Sequence, residues 1–237
     1  MTALLITLPV SPYVELARWT LDRRGVAYTE EAHAPVFHVL ATRRHGGTGT
    51  VPVLDLGSES LIDARHVVRR FDPLPDAEAE QLFDELFDVL GVAVRAWAYA
   101  YMLPHRAATV RAWTSFDVPA WERQLVPAVF PILRIAVGRD LGLTGRSVRE
   151  QRSIIDLALR RLEERIADGR RYLVGDALTA ADVALAALLA PAILPAEYVG
   201  PLPSLEEVPD QMRRDVEHFR QHPVGRFAAR LYREERA

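Results

Sequence analysis

The stretch TGTVPVLDLGSESLIDARHVVRRFD, Thr48 to Asp72, decides how the chain folds. Val51-Pro52-Val53-Leu54 is a short β-branched run headed by a proline. Proline cannot donate to a strand ladder, so it belongs at the entrance, and an X-Pro bond is where a cis peptide is least costly. A turn over Asp55–Ser60, with Gly57, leads into a second apolar run and then Asp63-Ala64-Arg65, after which Val67, Val68 and Phe71 recur at helical spacing. The order is strand, turn, strand, helix. An acidic residue beside the free N–H groups of a helix start suits a zwitterionic ligand such as an amino acid.

Working upstream, Ala3–Thr7 reads as a strand ended by Leu8-Pro9. Ser11-Pro12 opens a helix, with serine at the N-cap and proline at the first helical position. Val14, Ala17 and Leu21 share one face, and Gly25 stops the helix. Val26–Ala32 suits a second strand, and Phe37–Arg44 a short helix before a flexible, glycine-rich end. Residues 1–73 therefore read β-α-β-α-β-β-α, a small α/β domain bounded by Pro73 and Pro75.

Downstream, residues 77–237 read as all-helical. Ala77–Leu103 is a long apolar-rich helix with Leu82, Leu86, Val89 and Leu90 on its buried face. Residues 105–117 are a linker or short helix, and Val118–Leu141 is helical in pattern but should kink or split at Pro127 and Pro131. Ser147–Ala167 carries the clearest apolar stripe in the chain, Ile155, Ala158, Leu159, Leu162 and Ile166. Thr179 with Asp182 three residues on reads as a structural capping box before a helix apolar all round, Val183–Leu189. A proline-rich loop and two short helices close the chain.

Composition excludes several chemistries. There is no cysteine, so thiolate nucleophiles, disulfides and cysteine metal sites are out; there is no lysine, so Schiff-base catalysis is out. A net charge of −3 gives no nucleic-acid signal. The longest apolar run, Val183–Leu194, is broken by Pro191 and is too short to span a membrane. With no basic N-terminal region, a cytoplasmic location is expected.

Taken in order, Thr50-Val51-Pro52-Val53-Leu54, Leu61-Ile62-Asp63-Ala64-Arg65 and Gly175-Asp176-Ala177-Leu178-Thr179-Ala180-Ala181-Asp182 resemble the soluble glutathione S-transferases, over nearly the whole chain. The resemblance implies a thioredoxin-like N-terminal domain that binds glutathione, or a related small thiol, and an all-α C-terminal domain that forms most of the pocket for a small hydrophobic electrophile. It implies an enzyme that conjugates the two, assembled as a homodimer and needing no metal. A glutathione-dependent isomerase or lyase, and a non-catalytic binding or stress-response protein on the same fold, remain alternatives.

Site residues follow from the same resemblance. Val51 would precede a cis Pro52 and pair its backbone with the cysteinyl part of glutathione. Asp63 would receive the γ-glutamyl ammonium, and the Ala64 N–H its carboxylate. Relatives have serine at position 64; here a hydroxyl donor is missing, a bond to a charged group worth about 1.5–3 kcal/mol. Ser11 would stabilise the thiolate, with Tyr13 as the rival hydroxyl. Arg43, Arg44 or His45 would meet the glycine carboxylate, in a segment that also holds His33 and His38. Trp97, Tyr101 and His105, spaced i, i+4, i+8 with Tyr99 and Met102 beside them, would line the electrophile pocket, though interdomain core explains such a stripe equally well. Trp113, Phe116 and Trp121 would add a wall or lid. His218 and His222 have metal-compatible spacing but no third ligand in sequence, and read as a solvated face.

Overall fold

A computed structural model describes residues 2–143 and 147–236. Its first part is β1 (Ala3–Thr7), α1 (Pro12–Arg23), β2 (Tyr28–Ala32), α2 (Phe37–Arg44), β3 (Val53–Asp55), β4 (Ser60–Ile62) and α3 (Ala64–Phe71). The sheet order is β2-β1-β3-β4. β1 runs parallel to β2 with Leu5 opposite Glu30, and antiparallel to β3 with Leu5 opposite Leu54; β3 and β4 form a hairpin pairing Leu54 with Leu61. The third strand begins at Val53, not Val51, because Pro52 has no N–H for the ladder. The Val51–Pro52 bond is cis. Val51 and Pro52 thus form a loop at the strand's entrance, and the Asp63 N–H bonds the Pro52 carbonyl (2.9 Å), tying that loop to the start of α3.

The second part is helical: α4 (Ala77–Glu85), a π-turn (Leu86–Leu90), α5 (Gly91–Met102), α6 (Arg106–Thr114), α7 (Ala120–Asp140), α8 (Ser147–Ile166), α9 (Ala180–Ile193), α10 (Asp210–Gln221) and α11 (Pro223–Glu235). The segment 77–102 is one helical rod, but the π-turn takes up an extra residue and shifts its phase. Val89, expected on the buried stripe, is consequently 45% exposed.

The expected break in α7 does not occur: the helix is continuous through Pro127 and Pro131. Pro131 cannot bond the Pro127 carbonyl, and the Arg106 guanidinium takes that carbonyl instead (2.8 Å). α9 is buried over its whole length and continues through Pro191, ending with Leu194 in the left-handed region. It is the hub on which α1, α5, α10 and α11 pack.

The two parts are joined by satisfied polar contacts. Buried Glu122 of α7 accepts from the Ala34 N–H (2.8 Å) and meets the His33 ring (2.6 Å), and Arg23 of α1 donates to the Leu178 carbonyl (2.6 Å). Among the described residues no helix is long and apolar enough to cross a membrane.

Candidate functional site

A cleft of about 330 Å³ lies where the β1–α1 turn, α2, the loop before Pro52, α5 and the end of α7 meet. That is within the size range of small-ligand sites. Ser11, His38, Gly49, Val51, Arg95 and Tyr99 are on its wall.

Ser11 sits at the N-cap of α1, and its carbonyl accepts the Glu15 N–H (3.1 Å). Its side chain makes no capping bond. Pro12 removes one N–H from the first turn, and the hydroxyl is left on the cleft wall at the positive end of the helix. Tyr13 is turned the other way. Its hydroxyl donates to the Phe87 carbonyl (2.9 Å), its ring packs edge-on against Phe87, and burial pushes its pKa up to about 12. The rival hydroxyl is therefore a structural one in the contact between α1 and the π-turn, away from the cleft.

Asp63 and Ala64 are beside the Pro52 loop but beyond the cleft wall. Asp63 has φ 78° and accepts the His66 N–H (3.1 Å), capping α3. Ala64 is fully buried, packed into the core between the sheet and the helices. Its methyl contributes to packing where a serine hydroxyl would face the helix end.

Of the histidines in the 33–45 segment, only His38 reaches the cleft. Its Nδ1 is buried without a partner, and burial holds its pKa below the usual histidine value, so the ring is neutral near pH 7. His33 is held by Glu122 and Glu31, and these bonds, chiefly that to Glu122, raise its pKa. His45, a sequence candidate, is paired to Asp55 of β3 (2.7 Å) instead of facing the cleft. Arg43 and Arg44 are exposed; Arg43 passes near Gly49 at the cleft mouth. Gly49 has φ 111°, a conformation side chains resist, and a Cβ there would press on Val39 at 3.3 Å.

The α5 stripe expected from sequence does not line the cleft. Trp97 is fully buried against Phe219 and Tyr101, the Tyr101 hydroxyl donates to Asp215 (3.0 Å), and His105 is exposed beyond the helix end. This face of α5 turns toward α10. The cavity face is Arg95, Ala98, Tyr99 and Met102, a clean i, i+3/i+4, i+7 stripe of which the sequence reading named only Tyr99 and Met102. Its signal was available: Arg95 is the one charged side chain between Gly91 and Met102. Trp113 does form a wall, in a small apolar pocket adjoining the cleft. Phe116 lies under the Arg18 guanidinium (4.8 Å), and Trp121 is 57% exposed against Phe37. His218 and His222 approach Asp156 and Glu163 (4.0 and 3.4 Å), and the described residues contain no group of three metal-ligating side chains.

Residues 5–79 match the glutathione S-transferase N-terminal domain and residues 145–215 the glutathione S-transferase C-terminal domain. No curated protein matches the sequence. Solved structures share the fold. A glutathione S-transferase of Ceriporiopsis subvermispora in complex with glutathione superposes with a TM-score of 0.61 at 13% identity, covering 98% of each chain. The glutathione transferase GSTFuA3 of Phanerochaete chrysosporium gives 0.62 at 13%, covering 98% of this chain and 96% of that one. A glutathione S-transferase of Methylobacterium radiotolerans in complex with glutathione sulfonate gives 0.59 at 17%, covering 99% and 92%. With both family domains matched in order over more than half its length, the chain belongs to the glutathione S-transferase family.

Proposed function

We propose that the protein binds glutathione, or a closely related thiol, in the cleft and conjugates it to a small electrophile. The observation that carries this reading is the Ser11 hydroxyl, which makes no capping bond at the N-terminus of α1 and has no partner among the described residues, on the same wall as Val51. Bound glutathione would supply the nucleophilic sulfur. Ser11 would donate a hydrogen bond to it, and that bond together with the α1 dipole would lower the thiol pKa, its proton leaving to solvent. Val51 would offer its backbone to the cysteinyl unit, and the neutral His38 ring would bond the peptide near it. Asp63 and the first N–H groups of α3 would hold the γ-glutamyl end. On reaction, the sulfur forms a bond to the electrophilic carbon, and a leaving group departs with its bonding pair or an unsaturated acceptor takes up a proton. Homodimerisation and a cytoplasmic location are part of the same proposal.

Thermal melting with glutathione tests it. Ligand at a hundredfold over its dissociation constant stabilises by about 2.7 kcal/mol, a rise in Tm of roughly 5–10 °C for a chain of this size. An unchanged Tm at millimolar glutathione removes the thiol assignment and leaves the fold. A shift without turnover of a generic aryl halide removes conjugation and leaves the isomerase or lyase and the non-catalytic alternatives, the last being the reading that Ala64 favours.

A further inference from the structure

Adjoining the cleft is a second, smaller apolar pocket, about 70 Å³, walled by Ala98, Met102, Trp113, Leu194 and Pro203. The Thr109 hydroxyl on its lining is already donated to the Met102 carbonyl. The pocket and the cleft share a wall made of Pro12, Arg95 and Tyr99. Arg95 is the only charged side chain on the pocket's lining.

Among the described residues no carboxylate is within ion-pair distance of the Arg95 guanidinium, and its Nε is buried with no hydrogen-bond partner. Among the described residues it belongs to no ion pair, in a chain where most half-buried arginines do: Arg23 with Asp72, Arg65 with Asp88, Arg152 with Asp215. Asp140, the carboxylate on the cleft wall, is outside ion-pair reach of it. Its nearest aromatic neighbour is the Tyr13 ring, 5.4 Å from the guanidinium carbon. A partly desolvated cation without a counter-charge is costly, and a planar guanidinium matches a carboxylate in two parallel bonds.

We propose that the electrophile carries a carboxylate, received by Arg95 on the wall shared by the two cavities, with a small apolar group of it in the adjoining pocket and the rest in the cleft. This rests on the conjugation reading, since it places the reacting carbon on the Ser11 side of that wall. Arg95 is then a specificity residue: it selects anionic over neutral hydrophobic substrates and holds the electrophile in place.

The test is direct binding of a matched pair, benzoate and benzamide, by calorimetry without glutathione. The two have nearly the same shape and differ in charge. The carboxylate should bind wild type at least about tenfold more tightly, the discrimination expected of a hydrogen-bonded charge. Arg95→Gln should abolish that preference, and Arg95→Lys should keep part of it. Equal affinity of the pair for wild type, or a preference that survives Arg95→Gln, overturns the proposal; the wild-type measurement stands even where the glutamine variant does not fold. Glutathione affinity is measured on the same samples. If it falls in Arg95→Gln while wild type does not distinguish the pair, Arg95 serves the thiol and the carboxylate assignment is wrong. Because the readout needs no thiol, failure to bind glutathione and failure to prefer the carboxylate are separate results.

Discussion

Among the described residues two helices have a hydroxyl residue at the N-cap, Ser11 for α1 and Thr179 for α9, and they use it in opposite ways. At the start of α9, the Asp182 carboxylate takes the Thr179 N–H (2.9 Å), the Thr179 hydroxyl (2.9 Å) and the Leu173 N–H (2.7 Å), all at a fully buried position. At the start of α1, the Ser11 hydroxyl caps nothing, and Glu15 in the first turn pairs with Arg236 (3.0 Å) rather than reaching back. The local sequence signals are alike. What separates a structural start from a candidate reactive one is whether the polar groups have been consumed by the fold. A satisfied network fixes a helix; an unspent donor at a helix end beside a cleft is available to a ligand.

Breaking the α9 start should have the largest effect. Asp182→Ala orphans the buried Leu173 N–H and the half-buried Thr179 N–H, at roughly 1–3 kcal/mol for the buried one and less for the other, so denaturant unfolding should show a loss of about 2–4 kcal/mol. Ser11→Ala is the complementary change. Its aryl-halide conjugation rate should fall about a hundredfold, as for loss of one preorganised donor, with unfolding free energy within about 0.5 kcal/mol of wild type. If stability drops by 1–2 kcal/mol instead, with turnover intact, the hydroxyl is an ordinary cap.

Tyr13→Phe sharpens the contrast inside α1 itself: removing the bond to the Phe87 carbonyl should cost about 1 kcal/mol of stability and leave kcat/KM unchanged. The smallest effect is a pH dependence at the joint between the two parts. Partners raise the His33 pKa above its unfolded value of 6.5, so the protonated ring favours the native state. That contribution is complete below 6.5 and is lost as pH rises through the raised native pKa. The stability gap between wild type and His33→Gln, followed by urea unfolding from about pH 6 to about pH 9, should narrow with rising pH; a gap that widens shows that the pairing acts in the neutral state.

The fold was readable where local chemistry dictates it. The Pro52 entrance, the hairpin over Asp55–Ser60, the Asp182 cap and the stripe of α8 each depend on residues a few positions apart. Continuity of α7 was not readable, because the group that takes the carbonyl freed by Pro131 is Arg106, which belongs to a different helix. The site divided along the same line. Ser11 and Val51 reach the cleft because they lie on the turn and loop that form it. Tyr13, His45, Trp97 and Tyr101 do not, because each is held by a partner distant in sequence or in another element: Phe87, Asp55, Phe219 and Asp215. Spacing alone gives the faces of a helix but not which of them meets a cavity.

The π-turn at Leu86–Leu90 has a consequence for how this family member can vary. An α-helix advances about 100° per residue, and a single π-turn absorbs roughly that much. The rod 77–102 therefore behaves as an α-helix that has accommodated a one-residue insertion. Removing one of the five residues would let the segment close as plain α-helix and leave Arg95 on the shared wall. The same deletion within α8 would swing every later side chain of that helix by about 100°. Length variation is thus tolerated at one point of this helix and forbidden elsewhere, so a relative one residue shorter here can keep the same cavity.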